Sequence, residues 1–132
     1  MKIAKLGVIV LFLFLVGHAT YTKAKEYHDM PIKSGVSILG VCPQMILAHL
    51  EISKVYEEFG LEAVITSGTE HVVHGPGSSH FRGMALDYRT RTIRPQLIET
   101  VRKKIETRLG EEFQVIFETN HFHIQYRPMR SL

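Results

Sequence analysis

Five of the eight histidines fall in two short segments, His71, His74 and His80 within residues 69–80 and His121 and His123 within residues 118–126. Imidazole is the side chain most often used to hold a transition metal, so clustering of this kind points to a metal site. Residues 69–80, TEHVVHGPGSSH, also contain Gly75, Pro76 and Gly77, a composition suited to an irregular loop over a site. In HFHIQY, residues 121–126, period-two alternation sends Phe122, Ile124 and Tyr126 to one face of a strand and His121, His123 and Gln125 to the other. Glu118, across a short turn, can reach the same region. Taken alone, two histidines at alternate positions fit a solvated sheet face as well as a metal site, and His80 and Asp87 alone are unremarkable.

Two longer strings change that balance: SSHFRGMALD, residues 78–87, and ETNHFHIQY, residues 118–126. The first resembles the SxHxxGxAxD signature of zinc D-alanyl-D-alanine peptidases, vancomycin-resistance dipeptidases, phage endolysin peptidases and the hedgehog signalling domain. Ser78, His80, Gly83, Ala85 and Asp87 match it. The resemblance covers roughly residues 61–127 and implies zinc held by His80, Asp87 and a third ligand from a later HxH or ExxH segment. HxH makes that ligand His123, with His121 beside the metal; ExxH makes it His121. His123 is the favoured assignment. The resemblance further implies Glu118 as the general base and His74, six residues before His80, as a donor to the developing oxyanion. The small residues Gly83 and Ala85 fit close strand approach beneath the metal.

Two neutral imidazoles and one carboxylate make a three-ligand zinc set with a fourth tetrahedral position left for water, and zinc lowers the pKa of such a water to roughly 7. The expected activity is zinc-dependent hydrolysis of peptide bonds in peptidoglycan stem peptides, of the D-Ala-D-Ala carboxypeptidase or L,D/D,D-endopeptidase type. A non-catalytic zinc-binding recognition module of the same fold, or a phage lysis or virion-associated peptidase, are the alternatives. The sequence departs from the family at one point: many of these peptidases carry an Arg shortly after the SG of the preceding strand, whereas Ser67 and Gly68 are followed here by Thr69 and Glu70. His74 or Arg82 could supply the missing positive or donor group.

Several elements must position these residues. Met45, Ala48, Ile52, Val55 and Phe59 recur at spacings of three and four from Pro43 onward, predicting a helix that stops at Gly60. Leu61 to Ser67 reads as a buried strand, and Gly83 to Tyr88 as a second, with Met84, Leu86 and Tyr88 on one face and Ala85 and Asp87 on the other. A second helix is predicted from Pro95 to Leu109, with Ile98, Val101, Ile105 and Leu109 as its apolar stripe. Phe113, Val115 and Phe117 mark a strand joined to the last one through Thr119 and Asn120. The expected fold is α+β, a small antiparallel sheet packed on helices, hedgehog/DD-peptidase-like.

At 132 residues, 45% apolar and 22% charged, the chain suits one globular domain. Lys2 and Lys5 precede an apolar run from Leu6 to Val16 with Gly17 and Ala19 behind it, predicting a signal peptide over residues 1–19, with Ala24 as an alternative cleavage point. An N-terminal arm, residues 20–40, and a zinc peptidase domain, residues 41–132, would follow. Export to the periplasm or cell envelope, without stable membrane insertion after signal removal, is the expected localisation. Loss of Lys2 and Lys5 takes the net charge from +3 to +1, which gives no support to nucleic-acid binding. The expected partners are peptidoglycan peptides, and the protein is expected to be monomeric. Cys42, the lone cysteine, permits no intramolecular disulfide and is expected to be buried.

Overall fold

A computed structural model describes residues 30–70 and 74–129; the expected signal segment, residues 20–29 of the arm and His71 lie outside them. Pro31–Leu132 group as one compact unit. Its elements run α1 (Pro43–Glu58), β1 (Ile65–Ser67), β2 (Ala85–Arg89), a 3-10 turn at Pro95–Leu97 leading into α2 (Ile98–Leu109), β3 (Phe113–Glu118) and β4 (His121–Tyr126). The strands form an antiparallel four-stranded sheet in the order β1-β2-β4-β3. The result is α+β, with a small open sheet and two helices. Among the described residues no helix is long and apolar enough to cross a membrane.

Period 3.6 explains α1: Met45, Ala48, His49, Ile52, Val55 and Tyr56 are its buried residues, all on one stripe. Phe59 lies just past the helix as its C-cap, with the Lys104 ammonium 5.7 Å over its ring. In α2 only Val101 and Ile105 are buried. The stripe predicted from Ile98 to Leu109 is narrower: Ile98 and Leu109, at the two ends of the helix, are half-buried, while the middle packs against α1 and the edge strand β3. Pro95–Leu97 is 3-10 rather than α.

The strands differ from expectation in length. β1 holds three residues rather than seven, and its register slips between Ile65 and Ser67. Its outer edge is not bare: Ile65 N–H donates to Pro31 O at 2.8 Å and Lys33 N–H to Ile65 O at 2.9 Å, so residues 31–33 cover it, a common way to protect a sheet edge. β2 begins at Ala85 because Gly83, at φ 69°, belongs to the preceding loop.

The inner face of the sheet carries Leu86, Tyr88, Val115, Phe122 and Ile124, all buried, each worth about 1.5–3 kcal/mol of apolar transfer for the larger side chains. Polar atoms within this core are paired. Tyr56 donates its hydroxyl to Arg89 O at 2.8 Å, and His49 uses both ring nitrogens, Nδ1 with Tyr88 at 3.1 Å and Nε2 with Ser53 at 3.2 Å. Burial pushes the His49 pKa down, keeping it neutral in the core. Cys42 is half-buried and free, more exposed than expected.

Two glycines let the chain close over the opposite face. A Cβ on Gly68 would stand 2.1 Å from Ser37 O, and one on Gly83 would stand 2.1 Å from Gly40 O. Both obstacles are backbone, so neither position can yield by turning a side chain. Gly83→Ala, which adds this clash to a left-handed φ, is expected to destabilise the fold by about 2 kcal/mol or more. Gly110→Ala, at φ 76° and ψ −172° with open space around it, meets backbone strain without a clash and should cost less than Gly83→Ala, at the low end of about 1–3 kcal/mol. The urea midpoints of the two variants check the difference.

Candidate metal centre

The register of the sheet places the chemistry. Asp87 on β2 pairs with His123 on β4, and Arg89 pairs with His121, which pairs in turn with Glu118 on β3. Directly opposed residues share a sheet face, so Asp87 and His123 form one row on the outer face and Arg89, His121 and Glu118 form the next. The third member of the first group arrives from the loop. Ser78 Oγ accepts the His80 N–H at 3.2 Å and Gly83 N–H closes on His80 O at 2.8 Å, a tight turn that drops the His80 ring over β2. His80 and Asp87 are buried, and His123 is half-buried.

His80 Nε2, Asp87 Oδ1 and His123 Nδ1 form a nearly equilateral triangle. The His80 and His123 nitrogens are 3.1 Å apart, His80 Nε2 and Asp87 Oδ1 3.1 Å, and His123 Nδ1 and Asp87 Oδ1 3.0 Å. Donor atoms about 2.0–2.1 Å from a tetrahedral zinc are separated by only slightly more than this.

Hydrogen bonds behind the rings decide where the protons are. His80 Nδ1 lies 3.0 Å from the Gly68 carbonyl, which only accepts, so Nδ1 carries the proton and Nε2 presents a lone pair. His123 Nε2 lies 3.4 Å from Gln125 Oε1, an acceptor that suits a ring bound to metal through Nδ1, whereas in the absence of metal Nδ1 donates to Asp87 Oδ1 at 3.0 Å. Once that proton leaves, two lone pairs and a carboxylate oxygen converge. A cation satisfies all three at once, and these partners are the outer-shell groups that orient metal-bound histidines. His80, Asp87 and His123 together could hold a metal ion.

Without a metal, a proton takes part of that role. The hydrogen bond to Asp87 raises the His123 pKa against the effect of burial. Burial alone would raise Asp87, but the hydrogen bond from His123 and the neighbouring His80 outweigh it and hold the carboxyl at about 2.

No protein-family model, curated protein or solved structure matches the chain. The resemblance to zinc peptidases therefore rests on the signature residues of the sequence alone.

The other expected site residues lie around the triangle. His121 is outside it: its Nε2 is 3.6 Å from Asp87 Oδ2 and 3.4 Å from Glu118 Oε2, and its Nδ1 is 2.9 Å from Asn120 Oδ1. Glu118 thus meets His121 rather than the ligand atoms, with its side chain 51% exposed. His74 stacks flat on His80, with ring centroids 4.1 Å apart and planes 6° from parallel. Arg82 is exposed.

Sequence reasoning missed what holds His74. Ser67 donates its hydroxyl to Glu70 Oε1 at 2.5 Å, so the 2.8 Å contact between Ser67 Oγ and His74 Nε2 is donated by the imidazole. The Glu70 carboxylate also accepts the Gly68 N–H at 2.9 Å and the Ser37 N–H at 3.2 Å. Burial opposes its charge, but these bonds prevail and its pKa is lowered. Burial, and then the neighbouring His80, lower the His74 pKa. A neutral His74 has its proton committed to Ser67, so donating to an oxyanion requires a second proton that this environment disfavours. The visible signal was Glu70 itself, an acid shortly after Ser67 and Gly68, where many of the zinc peptidases that the sequence resembles carry an Arg.

Two outcomes follow for metal binding. The chain should take up one zinc; His123→Ala should abolish stoichiometric uptake while His121→Ala retains it, and Gln125→Leu should weaken binding about 10-fold or more. Competition with a chromophoric chelator reads all three. The second outcome concerns pH. A raised His123 pKa means that the protonated His123–Asp87 pair stabilises the metal-free fold fully below the ordinary histidine value, and that this is lost as pH rises through the raised value. Zinc must displace that proton, so its affinity should fall about tenfold per pH unit once pH drops below the raised His123 pKa. Calorimetric titrations between about pH 5 and 8 would test the slope.

Proposed function

We propose that the chain is a zinc peptidase of hedgehog/DD-peptidase-like fold, exported to the periplasm or cell envelope, where it hydrolyses peptide bonds in peptidoglycan stem peptides as a monomer. The observation that carries this reading is the convergence of donor atoms from His80, Asp87 and His123 to within 3.0–3.1 Å of one another. Two nitrogens and one oxygen suit zinc, and three protein ligands are the number catalytic zinc sites use. Zinc, when bound, polarises a carbonyl and acidifies water to a pKa of roughly 7.

The chain's own residues supply the remainder. Glu118 is the proton acceptor, reaching the site through His121, whose Nε2 stands between Glu118 and Asp87. His121 orients that carboxylate and His74, stacked on His80, restrains rotation of the ligand ring. Export and the wall substrate are inferred from the leader-like residues 1–19 and from the SxHxxGxAxD resemblance.

One observation favours a second reading, a zinc-binding module without turnover: the Glu118 side chain is half exposed and touches none of the three ligand atoms. Glu118→Gln separates the two. In an enzyme it should leave zinc bound and lower kcat by about 10²- to 10⁴-fold; in a module it should change nothing measurable. The decisive assay incubates the zinc-loaded full chain with defined monomeric and crosslinked muropeptides, with and without a chelator, and identifies products by mass spectrometry. Chelator-sensitive loss of a terminal residue or splitting of a crosslink is expected, with no product from His80→Ala. Stoichiometric zinc with every muropeptide intact would overturn the peptidase reading.

A further inference from the structure

We propose that Arg89 binds the free C-terminal carboxylate of the substrate and thereby makes this site a carboxypeptidase site rather than an endopeptidase site. This rests on the peptidase reading above. Arg89 is two residues from Asp87 on β2 and directly opposite His121 on β4, so its side chain leaves the same outer face as the metal triangle. Its backbone is fully engaged: Arg89 N–H donates to Val64 O at 2.9 Å and Arg89 O accepts from the Tyr56 hydroxyl. That fixes the Cα rigidly beside the site. The side chain is half-buried, yet its guanidinium makes no hydrogen bond or ion pair among the described residues.

The contrast with the other cations is informative. Arg102 is bound to Glu99 and Glu106, and Arg108 to Glu51 and Glu58. Arg82, Arg91 and Arg94 are exposed. A half-buried guanidinium kept without a carboxylate partner, in the row next to a metal triangle, is a cation with its counter-charge still to come.

Distance selects which carboxylate. Residues i and i+2 of a strand lie about 7 Å apart, and the terminal carboxylate of a peptide belongs to the residue next to the scissile carbonyl, one Cα step of ~3.8 Å on. With the scissile carbonyl over His80, Asp87 and His123, the carboxylate of a single following residue falls within reach of Arg89. A longer leaving peptide would put a neutral amide there and leave the guanidinium desolvated and unpaired. An Arg fork matches a carboxylate with two parallel hydrogen bonds. Arg89 would then hold a substrate anion from β2.

The test compares one stem peptide ending in D-Ala-D-Ala with the same peptide carrying a C-terminal amide, on the zinc-loaded full chain and on Arg89→Gln and Arg89→Lys. The wild type should favour the free acid by about 10- to 100-fold, chiefly through KM. Arg89→Gln should raise KM for the acid by that factor and leave the amide unchanged, and Arg89→Lys should recover part of the loss. Equal treatment of acid and amide by the wild type, or an equal loss on both in Arg89→Gln, would overturn the proposal, the second because it marks a merely structural residue. Calorimetric titration of the same two peptides supplies a readout without turnover. If neither is cleaved but the acid alone binds, and only with Arg89 intact, the Arg89 assignment stands and the peptidase reading fails. Cleavage without discrimination fails the assignment alone, and neither cleavage nor discrimination overturns both.

Discussion

Three electron-rich atoms pressed into one small volume are the constraint on which the rest of the structure depends. His80 Nε2, Asp87 Oδ1 and His123 Nδ1 lie 3.0–3.1 Å from one another, and carbonyl-type acceptors stand behind both rings. Left unfilled, that arrangement is repulsive, and a single proton relieves only one of its three contacts. Its persistence requires rigid surroundings: two central strands in register, a tight turn behind His80, and a backbone carbonyl from Gly68 that cannot swing away because Ser37 lies against it.

From this constraint each fixed position of the SxHxxGxAxD string acquires a physical reason. Ser78 caps the turn that aims His80. Gly83 supplies a left-handed φ and lets the loop touch Gly40 without a Cβ between them. Ala85 is fully buried on the site face, where a larger side chain would crowd Gln125 opposite. His80 and Asp87 supply the donors. The spacing of seven between those two ligands is the length of one tight turn plus the start of a strand.

The sequence was most legible where a period was strong. The stripe from Met45 to Val55 and the alternation in residues 113–126 placed α1, β3, β4 and the shared face of His121 and His123 correctly, because each rests on a local repeat. Legibility failed where a distant segment intervened. β1 is cut to three residues by a register slip and by pairing with residues 31–33, which no local pattern announces. Choosing between His121 and His123 required the register across β2, since alternation puts both on one face. The bond from the Ser37 N–H to Glu70 was equally hidden, for it depends on a loop folding back on a segment more than thirty residues earlier.

Sheet order and chain order disagree in a way that governs how the molecule is made. β4, the last strand in the sequence, lies between β2 and β3 and carries the third donor of the triangle. Until residue 126 is available the sheet is a pair of unconnected edges, and the helices have half a surface to cover. Such non-local pairing delays assembly, because loop-closure entropy is lost before the contacts that offset it can form. In this topology the His123 donor joins His80 and Asp87 only when β4 inserts beside β2, so the candidate metal site forms together with the completed sheet and not ahead of it.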